Sequence, residues 1–260
     1  MLDILYLDDH LVAINKPSGL LVHRSEIDRH ETRFVLQLLR NQLGQRVYPV
    51  HRLDKPTSGV LVFALSSEMA SKIADQWRER AIDKHYLAIV RGYMPEFVHL
   101  DYAMSPPVDK YAKQEVIKPA QEAITDFSLL ATVEIDVEID KYPQSRYSLV
   151  EAMPKTGRKH QIRRHLKHLS HPIIGDARYG KGRHSRYFRD HFDAGRLLLH
   201  AWQLSMTHPV TGQPLVFTAP LDDIWLSLVK RFQWQQQLPG LLSETLPGTR
   251  HEAPSTFAQQ

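Results

Sequence analysis

Apolar positions come in short blocks separated by Gly, Pro and Asp, the pattern of a strand-rich protein. Ile4-Leu5-Tyr6-Leu7 and Leu11-Val12-Ala13-Ile14 flank Asp8-Asp9-His10, which predicts a hairpin. After the loop Asn15-Lys16-Pro17-Ser18-Gly19 comes a third short block, Leu20-Leu21-Val22-His23. Within 31–43, Val35, Leu38, Leu39 and Leu43 recur near a 3.6-residue period and Gly44 follows, so a helix is expected there. Val60-Leu61-Val62-Phe63-Ala64-Leu65 predicts a buried strand. Ser66 or Ser67 can cap a helix that sets Met69, Ile73 and Trp77 on one face, where all three are expected in the core.

The second half continues the pattern. Residues 84–92 alternate as a strand with Tyr86, Ala88 and Val90 on one face. Residues 100–120 lack a pattern and are expected to form a loop or excursion, and strands are expected at 124–137 and 146–153 about a polar turn. Thr156-Gly157 is expected to start a helix with Ile162, Leu166 and Leu169 inside and His160, Arg163 and Lys167 on an outer cationic face. Short strands are expected at 172–176, 196–201 and 214–218, then a last helix from Asp222-Asp223. Beyond residue 236, Gln, Pro, Ser, Thr and Gly dominate, so 1–235 is expected to be one domain and 236–260 a disordered tail. Irregularly interspersed strands and helices indicate an α+β fold with a mixed, mainly antiparallel sheet flanked by helices.

Composition narrows the class. The 260 residues include no cysteine, which excludes disulfides and thiolate metal sites. Apolar runs stay well short of the roughly 20 residues of a membrane span. With no leader-like start, a soluble cytoplasmic protein is expected, with no membrane association. A net charge of +4 is modest, but its distribution is uneven. Between residues 155 and 186 there are ten Lys or Arg and five His, with Asp176 the sole acid. Such a segment suits a polyanion, and a nucleic-acid backbone is the natural partner.

Candidate chemistry starts at His51-Arg52-Leu53-Asp54-Lys55-Pro56-Thr57-Ser58-Gly59, where an acid sits on a Pro- and Gly-containing loop that feeds a buried strand. A solvated turn would account for it equally well. Other motifs fail. Gly175 to Gly182 carries glycines and a lysine at P-loop spacing but has glycine where Ser or Thr would hold magnesium, and no amphipathic helix is expected after it. His160, His165 and His168 stand among lysines and arginines, so no metal site is expected. Ser58 lacks a nucleophile-elbow motif. What remains is Asp54, Tyr86 and the basic helix. A carboxylate with Arg163 or Arg158 beside it could stay ionised in a closed cleft and act as a nucleophile, and a tyrosine could move a proton.

These residues resemble a known signature. His51-Arg52-Leu53-Asp54 with Thr57-Ser58-Gly59 is similar to the hallmark motif of the pseudouridine synthases, in the branch that modifies ribosomal and transfer RNA. Asn15-Lys16-Pro17-Ser18-Gly19, Lys84-His85-Tyr86-Leu87-Ala88, Thr156 to Arg163 with His171 to Asp176, and Arg196 to Ala201 resemble four further motifs of that family, in the family's order. The resemblance implies a central RNA cleft and conversion of uridine to pseudouridine without cofactor or metal. It implies Asp54 as catalytic nucleophile, Tyr86 as the group that packs on the base and accepts a proton, and Arg163 as the partner of Asp54. Arg52 would fill the space left by a flipped nucleotide, and Leu199 would line the base pocket. Lys16, Arg158, Lys159, His160 and Gln161 are expected to contact the RNA. Length, residues 21–25 and residues 155–179 are most similar to members acting on uridine 65 in the T-stem of certain tRNAs, as monomers. Ribosomal RNA or another tRNA position is the nearest alternative, and a non-catalytic RNA-binding protein is the alternative of another class.

Overall fold

The structure is a computed structural model that describes residues 1–23, 32–106 and 119–238. β1 (Asp3–Leu7) and β2 (Leu11–Lys16) pair antiparallel, and Asp8 closes their turn by accepting the His10 and Leu11 amides at 2.7 and 2.8 Å. The block at Leu20-Leu21 makes only an isolated bridge from Leu21 to Phe34. α1 (Val35–Leu43) is shorter than its periodicity suggests, and Gly44 ends it at φ 68°. Glu31 and part of 21–25 lie outside the described residues. β3 (Tyr48–Pro49) and β4 (Ser58–Ala64) follow, then α2 (Ser67–Arg78), whose Ser66 cap accepts the Met69 amide.

β5 (Asp83–Arg91) and β6 (Phe97–Asp101) precede the long strands β7 (Ile124–Ile135) and β8 (Ser145–Pro154). Part of the expected 100–120 excursion falls outside the described residues. α3 (Gln161–His168) begins four residues later than Gly157 suggests, because His160 takes a left-handed φ of 57° and delays the helix. Residues 172–176 form a turn with one bridge from Ile173 to Val90 rather than a strand. α4 (Gly182–Phe192) does follow the P-loop-like glycines, contrary to expectation. Its buried face is His184, Phe188 and Phe192, at helical spacing but with a histidine where an aliphatic residue is usual, so the basic composition masks it. β9 (Leu199–Thr207), β10 (Pro214–Thr218) and α5 (Asp223–Arg231) complete the chain, with Asp222 capping α5 through the Trp225 amide. Trp234 and Leu238 are buried against the main core, so the folded unit runs past residue 235 to the end of the described residues. The rest of the expected tail lies outside them.

The strands form one mixed sheet in the order β1-β2-β4-β9-β5-β8-β7-β6, with β10 on β9 and β3 on β4. Every pairing among the named strands is antiparallel except β4 with β9, which is parallel and only two pairs long, Ser58 with His200 and Gly59 with Ala201. This short seam joins a β1-β2-β3-β4 half to a β5-to-β10 half. A relay of hydrogen bonds crosses it: Arg196 Nη1 donates to Ser58 Oγ, which faces His200 Nδ1 at 2.9 Å, and His200 Nε2 faces the Ala219 carbonyl at 3.2 Å. Burial, aided by the Arg196 charge, holds the His200 pKa down at about 4 despite the Ala219 bond, so the ring is neutral and Nε2 donates. Ser58 and His200 are buried inside the sheet, which makes them a structural pair and removes Ser58 as a nucleophile.

Glycines set the close approaches. A Cβ on Gly59 would lie 2.1 Å from the Ala201 carbonyl oxygen, and its φ of 113° disfavours any side chain. Cβ atoms on Gly175 and Gly180 would lie 1.8 Å from the Arg196 oxygen and 2.4 Å from the Asp176 oxygen. The P-loop-like glycines therefore pack against the chain's own backbone. Replacement of Gly59 by Ala is expected to open the seam and destabilise the protein by more than about 3 kcal/mol. Urea unfolding of G59A against wild type measures this, and a loss below about 1 kcal/mol would show that the seam tolerates a side chain.

Candidate active site

The loop between β3 and β4 carries Asp54. Its turn is closed by the Thr57 amide donating to the Asp54 carbonyl at 3.0 Å. The loop is then held from below by residues 16–20. Lys16 is 0% exposed, and its Nζ donates to the carbonyls of Pro17, Leu20 and Lys55 at 2.9, 2.9 and 3.1 Å. Ser18 Oγ donates to the Pro56 carbonyl at 2.7 Å, and the Gly19 amide to the Lys55 carbonyl at 2.9 Å. Burial, with the Arg196 charge adding to it, brings the Lys16 pKa to about 7, while Asp54 pulls the other way. Three acceptors match the three protons of an ammonium. Lys16 is thus a clamp on the Asp54 loop, and its expected contact with RNA is corrected by its burial.

α3 supplies Arg163. Arg163 Nη1 donates to Asp54 Oδ2 at 2.9 Å, while Nε and Nη2 grip both oxygens of Asp176 at 2.7 and 2.9 Å. Asp176 also accepts the Arg178 and Tyr179 amides at 2.9 and 3.0 Å, and its side chain is fully buried. Burial alone would raise the Asp176 pKa, but the Arg163 bonds and these amides bring it below the usual carboxylate range. Burial would likewise lower the Arg163 pKa, and its two carboxylate partners more than offset that. Arg163 is 6% exposed, so the outward cationic face expected at this position is wrong there: its charge points inward. Asp176 was legible as the lone acid of a basic segment, though its role as the second partner of Arg163 was not.

Tyr179 packs under the Arg163 guanidinium at 5.2 Å, and its hydroxyl lies 3.0 Å from His160 Nδ1. His160 Nε2 is 3.8 Å from Asp54 Oδ1, beyond hydrogen-bond range. Burial first, then the charges of Arg163, Lys159 and Arg178, hold the His160 pKa at about 4 against the pull of Asp54, so at neutral pH it is an uncharged wall of the site. Gln161, expected on the RNA, is buried. It accepts from Thr156 Oγ1 and the Arg158 amide, and donates to the Ile124 carbonyl and Thr125 Oγ1, all within 2.9 Å. Its four hydrogen bonds tie the 156–161 loop to β7 and leave nothing for a ligand.

Asp54, Arg52, Tyr86, Arg158, Lys159, His160, Arg163 and Leu199 line one cavity of about 430 Å³. Tyr86 enters it beside a register shift in β5 at His85 and Tyr86. Burial, then the charge of Asp54, raises the Tyr86 pKa, so it is a neutral phenol near pH 7 and not a phenolate base. Arg52 and Lys159 are exposed at the rim. Arg158 is half-buried with Nε donating to the Glu122 carbonyl at 2.9 Å. Trp77 also lines the cavity, whereas its helix partners Met69 and Ile73 are core as expected. Trp77 is partly buried and packs against the same core as Met69 and Ile73, so the core expectation holds for it too; that it also borders the cavity has no signal in periodicity. Among the described residues no three His, Asp or Glu gather as metal ligands, and no helix is long and apolar enough to cross a membrane.

Residues 10–168 match the family model described as RNA pseudouridylate synthase. A protein named tRNA pseudouridine synthase C from Vibrio parahaemolyticus is 53% identical over 241 residues, 91% of this chain and 97% of its own. Proteins of the same name from Pasteurella multocida and Salmonella typhi are 52% and 50% identical over 90% and 92% of this chain, and 97% and 93% of their own. Among solved structures, human RNA Pseudouridylate Synthase Domain Containing 4 superposes with a TM-score of 0.65 at 27% identity, covering 89% of this chain and 93% of its own.

The Arg163 clamp sets a stability expectation. The folded Asp176 pKa is depressed, so its contribution is fully present above about pH 4, the unfolded carboxylate value, and is lost as pH falls through the folded one. Asp176→Asn should destabilise by about 3 kcal/mol at pH 7 and remove that acid-side loss. Urea midpoints at pH 7 and pH 3 test both parts. Equal acid sensitivity in wild type and variant would place the titration elsewhere.

Proposed function

The chain belongs to the RNA pseudouridylate synthase family, and from that premise we propose that it isomerises uridine to pseudouridine in tRNA with Asp54 as nucleophile. The observation that carries the reading is the Asp54 carboxylate, held through Oδ2 by Arg163 inside the cavity shared with Tyr86 and Leu199. Because Asp176 takes two of the three Arg163 bonds, the arginine orients Asp54 while the trio keeps one net negative charge. Oδ1 is left facing the cavity as the attacking oxygen. Attack on the sugar and attack on the ring both use it.

The isomerisation breaks the glycosidic bond to N1 and forms one from the sugar to C5. The proton on C5 leaves and N1 ends with a proton, so atoms and electrons balance with no oxidant or reductant. With the bound strand covering its mouth, the cavity would keep water from capturing the sugar while the base turns. Tyr86 packs against that base as a neutral phenol, and its raised pKa counts against a phenolate taking the C5 proton. A base within a duplex has to leave the stack to reach Asp54, and Arg52 at the rim is positioned to occupy the gap. Arg158, Lys159 and His160 line the same cavity and would meet the incoming strand there. The relatives' shared name, tRNA pseudouridine synthase C, supports tRNA as substrate, and we assign uridine 65 of the T-stem as the target.

Pseudouridine mapping of tRNA and rRNA from cells lacking this protein tests substrate and activity together. Loss at uridine 65 in a subset of tRNAs is expected, and loss confined to rRNA would overturn the substrate. In vitro, Asp54→Ala should abolish conversion and leave tRNA affinity within about threefold, since a carboxylate contributes nothing to phosphate attraction. Measurable turnover by D54A would remove Asp54 as the nucleophile.

A further inference from the structure

A second recess of about 330 Å³ opens beside the catalytic cavity, walled by Arg80, Lys84, Lys155, Asp83 and Pro154 among others. Lys84 and Pro154 line both spaces, so the two adjoin at the start of β5, with His51 and Trp77 on the side of the catalytic cavity. Of the three cations in the recess, two have carboxylate partners. Arg80 pairs with Glu122, and Lys155 lies 3.7 Å from Asp126. Lys84 is different. Among the described residues its Nζ makes no hydrogen bond and no salt bridge, and it stands 5.1 Å over the Trp77 ring.

The platform beneath it is built rather than incidental. His51 packs on the same tryptophan with ring centroids 4.9 Å apart, and its Nε2 accepts the Val62 amide at 2.9 Å. Burial, with Lys84 nearby, holds the His51 pKa down at about 3, so it is neutral and adds no competing charge. Lys84 is half-buried, and burial lowers its pKa to about 8, with Lys155 and Arg80 acting in the same direction and Asp83 opposing. A desolvated ammonium without a counterion is unfavourable by itself and becomes favourable when an anion joins it.

We propose that the Lys84 recess is a phosphate site for the RNA strand adjoining the target nucleotide, resting on the pseudouridine synthase reading of the neighbouring cavity. The strand would run from the catalytic cavity past Pro154, with one phosphodiester on the Lys84 ammonium, which the Trp77 face holds in place. Lys84 then acts in binding and positioning and does not touch the reacting bonds.

The test uses the full chain, its Lys84→Gln and Lys84→Arg variants, and T-stem oligonucleotides carrying single uncharged methylphosphonate linkages near the target uridine. K84Q is expected to raise KM about tenfold with kcat within about twofold, as for loss of one charge-assisted contact. The slope of log Kd against log salt should shrink by about one, and K84R should recover most of both. One methylphosphonate position should weaken wild type about tenfold and K84Q hardly at all. Removing a desolvated, unpaired charge should leave the K84Q unfolding temperature at or above wild type. If wild type converts uridine but K84Q keeps its KM and salt slope, or if every methylphosphonate weakens both proteins equally, the phosphate site is wrong and the family chemistry stands. If wild type itself converts no uridine, the underlying reading fails instead.

Discussion

Arg163 has five N–H groups and spends three of them on two acids that are 122 positions apart in the chain. Asp176 holds it bidentately with full burial, which fixes the guanidinium plane before any substrate arrives. Asp54 receives the remaining bond from an arginine whose charge Asp176 already balances, so it is oriented without being compensated. Tyr179 under the guanidinium, with its hydroxyl against His160, completes the packing. Because the two acids approach from different loops, the arrangement also docks α3 against the β3–β4 loop. Removal of either acid takes hydrogen bonds from a buried guanidinium, so the same interaction serves folding and chemistry.

Geometry at the seam explains why that docking is possible. β4 and β9 run parallel for only two residue pairs, and the cavity that Asp54, Tyr86 and Leu199 share is lined by residues flanking this seam. Gly59 permits the close approach and His200, kept neutral, bonds across it. The register shift in β5 brings Tyr86 to the same opening. None of these features is catalytic, yet each sets where a catalytic group stands.

Much of this was legible in the chain. The alternating blocks at β1, β2, β4, β5 and β10 predict strands, and Ser66 and Asp222 predict their helices, since each signal is local. Asp54, Tyr86 and Arg163 are brought to one cavity as their motifs imply. What could not be read were burial and long-range pairing. Lys16 and Gln161 look like surface polar residues until the structure shows their bonds going to backbone and to buried hydroxyls. α4 hides behind a basic composition because one of its core positions is His184, whose ring lies between the Tyr147 hydroxyl and Arg91. Trp77 packs on the core and also borders the cavity, since helical period gives a residue's face and not what else that face meets.

Lys16 draws its specificity from atoms that every residue possesses. Its three acceptors are the carbonyls of Pro17, Leu20 and Lys55, so the ammonium reads chain path and is indifferent to the side chains there. Information about the shape of the Asp54 loop is thereby concentrated in one position, while its partners remain free to vary. Loss of that one ammonium removes three ties on the loop at once, whereas a change of side chain at Pro17, Leu20 or Lys55 leaves its acceptor carbonyl in place.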